Sequence, residues 1–183
     1  MWRALGIAIA LEASAAIAQP NDGPKLDDTG TYAGNYLCAP LASGGVRWDE
    51  TAKEWRGAAF KVPSDGQFVF EIKVLDKRKE WKAFGFAMVG TTYFANVRPL
   101  EGNAVACWGE REGYQPADLV GYNHILMSPD GEFRCRTYGG LNYYDLNLTT
   151  RRYQQTYHAG FIDGEDAGGN TPSLEVGKCT RMD

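Results

Sequence analysis

Apolar and polar positions alternate with a period of two along much of the chain, the repeat of a strand with one buried and one wet face. The cleanest case is Phe68, Phe70, Ile72 and Val74, with Glu71 and Lys73 between them. It follows Pro63-Ser64-Asp65-Gly66, a turn in which proline presets the first corner while Asp and Gly accept the second. Ser128-Pro129-Asp130-Gly131 repeats that chemistry before a second alternation, Glu132, Arg134 and Arg136 against Phe133, Cys135 and Thr137. Gly139-Gly140 ends that strand, Leu141 to Leu148 forms another, and Asn147 to Arg152 reverses the chain, so Leu126 to Tyr153 is expected to be a meander of at least three strands.

The remaining elements are shorter. Val46 and Trp48 open a first hairpin and Trp55 to Val62 returns from it. Asp76 to Glu80 is expected to be a charged loop, followed by a strand over Trp81 to Val89 with both faces covered. Thr91 to Val97 and Ala104 to Trp108 add two more strands, and Gly109 to Pro116 breaks regular structure. Asp118 to Met127 suits either a capped helical turn or a strand. Tyr153, Tyr157 and Phe161 match both periods, and their aromatic context favours a strand. Ser173 to Val176 is a last short strand leading to Cys179.

Together these elements predict an all-β fold, an antiparallel sandwich or barrel of about eight to ten short strands spaced roughly ten residues apart. The aromatic fraction of 13% supplies wide side chains for its core, and composition alone does not separate a filled interior from a pocket.

Two stretches repeat one order of residue types. Trp48-Asp49-Glu50-Thr51-Ala52-Lys53-Glu54-Trp55 and Leu146-Asn147-Leu148-Thr149-Thr150-Arg151-Arg152-Tyr153 each run from a large apolar residue through Asp or Asn, Thr and a basic residue to an aromatic. Each follows a Gly-Gly pair (Gly44-Gly45, Gly139-Gly140) and, before that, a cysteine (Cys38, Cys135). This is hairpin-loop chemistry, in which Asp or Asn accepts bonds from backbone N–H groups ahead of it and the flanking aromatics face each other across the strands. Either duplication or a recurrent hairpin solution accounts for it.

Residues 1–18 carry Arg3, an apolar run and small residues at Ala16 and Ala18, the pattern of a signal peptide cleaved near Ala18; Glu12 within the run argues against a membrane span. Residues 19–31 are polar and expected to be a flexible lead-in, leaving 32–183 as a single β-rich domain. The expected location is therefore the periplasm or the exterior. Cys38, Cys107, Cys135 and Cys179 are an even set in an oxidising compartment, so two disulfides are expected. Of the three pairings, Cys107 with Cys135 joins neighbouring strands and Cys38 with Cys179 ties the ends. A zinc site has no C-x-x-C or paired-histidine spacing to support it.

The net charge of −4, with short basic clusters flanked by acids, excludes nucleic acid as a partner. No catalytic set stands out: the only histidines are His124 and His158, and there is no G-x-S-x-G. A hydrolase would draw on carboxylates such as Asp145 or on His158 beside the 163–170 loop. In that loop Asp163, Glu165, Asp166 and Asn170 offer hard oxygen ligands, so Ca²⁺ is the one cofactor with candidate residues, although the spacing is not that of an EF-hand.

The cysteine, Gly-Gly and hairpin order, with the terminal Thr171 to Cys179 stretch (TPSLEVGKC), resembles small exported proteins of proteobacteria that carry no assigned function. That resemblance implies export, β structure and disulfides, and no active site. In architecture the chain is more loosely similar to periplasmic β-barrel lysozyme inhibitors and to lipocalins, an analogy of fold alone. The expected function is that of a non-enzymatic exported binding domain for a protein, glycan or small apolar ligand. Its candidate contacts are the hairpin aromatics Trp48, Trp55, Tyr144 and Tyr153, or a small pocket. The alternatives are the small hydrolase and a calcium-stabilised structural domain.

Overall fold

A computed structural model describes residues 25–63, 65–83, 86–109, 124–137, 141–164, 166 and 171–182. Among them are ten strands: β1 (Gly34–Asp49), β2 (Glu54–Phe60), β3 (Phe68–Ala83), β4 (Phe86–Pro99), β5 (Val105–Gly109), β6 (Ile125–Leu126), β7 (Glu132–Thr137), β8 (Asn142–Asn147), β9 (Arg152–Tyr157) and β10 (Ser173–Arg181). Eight close into an antiparallel barrel in the order β1-β3-β4-β5-β7-β8-β9-β10, and β10 returns to β1 with Cys38 opposite Cys179. Of the two architectures open to the sequence, the closed barrel is the one formed. The extra strands are β2, which pairs with the far half of β1, and β6, which pairs with β4.

The alternation read from the sequence points into this barrel. Phe68, Phe70 and Ile72 on β3 meet Tyr93, Ala95 and Val97 on β4 and, across the lumen, Phe133, Tyr144, Leu146 and Tyr153. Phe70 lies 5.3 Å from Tyr144 and 6.2 Å from Phe133, and Phe68 lies 5.1 Å from Tyr153, all edge to face. Each such pair is worth about 0.5–1.5 kcal/mol beyond its burial. The middle of the barrel is thus packed with rings. Space for them depends on Gly177 of β10, where a Cβ would come 2.3 Å from the Tyr153 ring and 2.4 Å from the Ala39 carbonyl.

Both expected disulfides are present, Cys38–Cys179 across the β1–β10 seam and Cys107–Cys135 between β5 and β7. Three elements differ from expectation. The stretch Trp81–Val89 is not one covered strand but is divided between the end of β3 and the start of β4, which pair with each other, and Ala87 and Val89 are exposed. The charged stretch 76–80 is no loop: β3 runs through it, with register shifts between Val74 and Lys79, as half of a long hairpin with β4. Asp76 and Lys77 are exposed there, so the ladder continues without the one-sided alternation that marks a buried strand. Phe161, in turn, lies on no strand: β9 ends at Tyr157, Gly160 takes a φ of 105°, and Phe161–Asp163 form a single 3₁₀ turn.

One end of the barrel is covered by the segment from Lys25 to Ala33. Leu26 packs with Met88 and Leu126, while the Asp27 N–H donates to the Met127 carbonyl (2.9 Å) and the Asp27 carbonyl accepts from the Thr91 N–H (2.7 Å). The Asp27 carboxylate accepts from Thr29, from the Gly30 N–H and from the Tyr93 hydroxyl. Burial alone would raise this carboxyl, but the hydrogen bonds together outweigh it and hold it below the usual aspartate range. Burial, reinforced by the Asp27 charge, pushes the Tyr93 phenol far up.

Candidate functional site

The two related stretches do form the same kind of hairpin. In the first, Asp49 Oδ1 accepts from the N–H groups of Thr51 and Ala52 (both 2.9 Å), and Lys53 is left-handed at φ 56°. In the second, Asn147 Oδ1 accepts from the Thr150 N–H (2.8 Å), and Arg151 sits at φ 57°. Those backbone donors, Ala52 first, also lower the Asp49 carboxyl. Trp48 pairs with Trp55 and Leu146 with Tyr153, as the flanking apolar positions predict.

The barrel uses the two hairpins differently. The β8–β9 hairpin is part of the wall, so Leu146 and Tyr153 point inward. The β1–β2 hairpin projects past the rim, because β1 pairs with β3 only over Gly34–Cys38 and then with β2 from Ser43 on. Its aromatics therefore lie outside the core and are half-buried. The four candidate aromatics fall into two separate sets. Trp48 and Trp55 stand together with ring centroids 5.9 Å apart, and Tyr144 and Tyr153 are buried in the core. The Tyr153 hydroxyl donates to Glu175 Oε1 at 2.8 Å; burial, with the Glu175 charge behind it, drives both phenols up and keeps them protonated.

Beside the tryptophan pair the outer wall carries a groove of about 420 Å³, framed by Val46, Phe161, Ile162 and Leu174, with Thr156, Tyr157 and His158 along its side. Trp55 meets Phe161 edge to face at 5.6 Å, and its indole N–H donates to Asp166 Oδ1 at 2.9 Å. These contacts brace the groove from behind. Ile162 is 83% exposed, Phe161 60% and Leu174 43%. Single exposed apolar residues are ordinary, whereas a contiguous set around a groove makes this patch the candidate site.

Sequence reasoning did not select Val46, Phe161, Ile162 or Leu174. The signal was on β10, where the alternation is inverted: Glu175 faces inward, bonded to Tyr153, while Leu174 and Val176 face out.

The other candidates are dispersed. The His158 ring lies 4.7 Å from that of Tyr143 and shares a 2.9 Å hydrogen bond between Nε2 and the Thr156 hydroxyl. Asp145 is ion-paired with Arg134. Asp166 is engaged by Trp55, and Asp163 belongs to the 3₁₀ turn; Glu165 and Asn170 lie outside the described residues, as do the expected signal peptide and residues 19–24 of the lead-in. Among the described residues no three His, Cys, Asp or Glu side chains are grouped to hold a metal ion, and no helix is long and apolar enough to cross a membrane. No family model, curated protein or solved structure matches the chain.

Proposed function

We propose that this chain is an exported, non-enzymatic binding domain that holds a small apolar ligand on the outside of its barrel, in the groove framed by Val46, Phe161, Ile162 and Leu174. The observation that carries this reading is the contiguity of the exposed Phe161, Ile162 and Leu174 with half-buried Val46 around a concave surface, braced by the Trp48–Trp55 pair. The aromatic packing of the interior favours the wall over the lumen, which is where a barrel with a hollow core would hold its ligand. Export is supported by the three-part pattern of residues 1–18 and by two disulfides, which persist in oxidising compartments.

The test is a titration with N-phenyl-1-naphthylamine, a neutral apolar dye whose emission rises in apolar surroundings. Saturable binding with quenching of tryptophan fluorescence is expected, weakened at least tenfold by Ile162→Asp, whose exposed side chain makes the substitution benign to folding. Failure to saturate, or binding indifferent to Ile162→Asp, contradicts the proposal.

A further inference from the structure

We infer that the ligand is a single-chain amphiphile with an anionic head, of the fatty-acid class, lying along β10 with its tail in the groove and its head at Lys178 and Arg152. This rests on the binding reading above and names the ligand class for it. The outward positions of β10 run Leu174, Val176, Lys178, and their register partners on β9 are Thr156, Gln154 and Arg152. One lane of the wall therefore begins apolar at the rim and ends cationic. A second hollow of about 530 Å³ continues it, lined by Leu41, Val176, Gln154, Arg152 and Lys178, with the carboxylates of Glu132 and Asp145 also on its wall. Leu41 reaches it because the β1–β10 ladder shifts register between Pro40 and Ala42, and it is 63% exposed. From Pro172 to Lys178, at roughly 3.3 Å per strand residue, the lane spans about 20 Å, the reach of a long acyl chain.

The cation pair is what specifies the head. Lys178 and Arg152 are direct cross-strand partners, a like-charge placement that is unfavourable by itself. Three other arginines have acids: Arg134 meets Asp145 at 2.5 Å, Arg98 meets Glu71 at 2.7 Å and, on β2, Arg56 meets Glu54 at 2.6 Å. Neither Arg152 nor Lys178 has an ion-pair partner among the described residues. Glu132 lies on the same lateral row but with Asn147 between it and Arg152, and the Asp145 charge is answered by Arg134. A carboxylate bridging Lys178 and Arg152 relieves their repulsion, while its chain covers Val176, Leu174 and Ile162.

The experiment compares dodecanoate with dodecanol, both as monomers, by displacement of N-phenyl-1-naphthylamine. Dodecanoate is expected to bind at least tenfold tighter, each two-carbon extension of the acid to tighten binding several-fold, and the double variant Lys178→Glu, Arg152→Glu to abolish the preference while still binding the neutral dye. Equal affinities, or a preference that survives the double variant, overturn the inference and leave the binding reading standing. Absence of dye binding by the wild-type chain removes both. Binding to vesicles of anionic phospholipid without binding to monomeric dodecanoate overturns it in favour of a membrane-surface role.

Discussion

Removing the seam disulfide, by Cys38→Ala with Cys179→Ala, should cost more stability than removing the other by Cys107→Ala with Cys135→Ala. Both bonds link paired strands and all four cysteines are buried, so the small voids left by alanine are alike in the two variants. What differs is the loop each bond closes, with sequence separations of 141 and 28. The loop-closure relation gives about 5 kcal/mol for the first and about 3.6 kcal/mol for the second at 25 °C, a gap of about 1.4 kcal/mol. The longer loop also holds shut the one barrel seam that joins the two ends of the chain. Urea unfolding followed by tryptophan fluorescence reads this directly, provided that the slopes of the two variants agree. In a domain of this size 1 kcal/mol moves the melting temperature by about 2–4 °C, so thermal scans should separate the variants by several degrees. Equal losses, or a larger loss for the Cys107–Cys135 pair, would refute the argument from chain entropy and seam closure.

Gly177→Ala should destabilise by about 1–3 kcal/mol in urea, since the new methyl meets the Tyr153 ring and the Ala39 carbonyl, whereas Val176→Ala beside it should stay within about 0.5 kcal/mol. Asp27→Asn should cost about 1–3 kcal/mol at pH 7. Because the folded carboxyl lies below its unfolded value near 3.9, its contribution is present above that pH and is lost as pH falls through the folded value, so wild type and variant should converge in acid unfolding curves. At the alkaline end, Tyr93, Tyr144 and Tyr153 sit above the unfolded value near 10; their contribution is intact below it and fades above. Phenolate absorbance should therefore show these three rings titrating only as the barrel unfolds.

What the sequence shows about this fold depends on whether a residue type has one meaning. Phe68, Phe70 and Ile72 alternate with wet neighbours and belong to a wall with one buried face, so their strand and its direction were legible. The Asp49 and Asn147 loops were legible for a local reason: a short acceptor two or three residues ahead of free N–H groups makes the same turn wherever it occurs. Residues 76–80 were misread because exposed Asp76, Lys77 and Glu80 leave no one-sided alternation in that part of the β3–β4 hairpin. Leu26 and Asp27 lie in a polar segment whose partners, Met127, Thr91 and Tyr93, are far away in sequence. The groove residues were not legible because the pattern of Ser173 to Val176 does not say which face of β10 turns inward; it is Glu175 that does, and the register with β9 and β1 reveals it.

The most direct test of the central claim is a chemical-shift map of the ¹⁵N-labelled chain titrated with N-phenyl-1-naphthylamine. Binding on the outer wall predicts the largest shifts at Val46, Thr156, His158, Phe161, Ile162 and Leu174. Shifts concentrated instead at Phe70, Tyr93, Tyr144 and Leu146 would place the ligand inside the barrel and contradict the account.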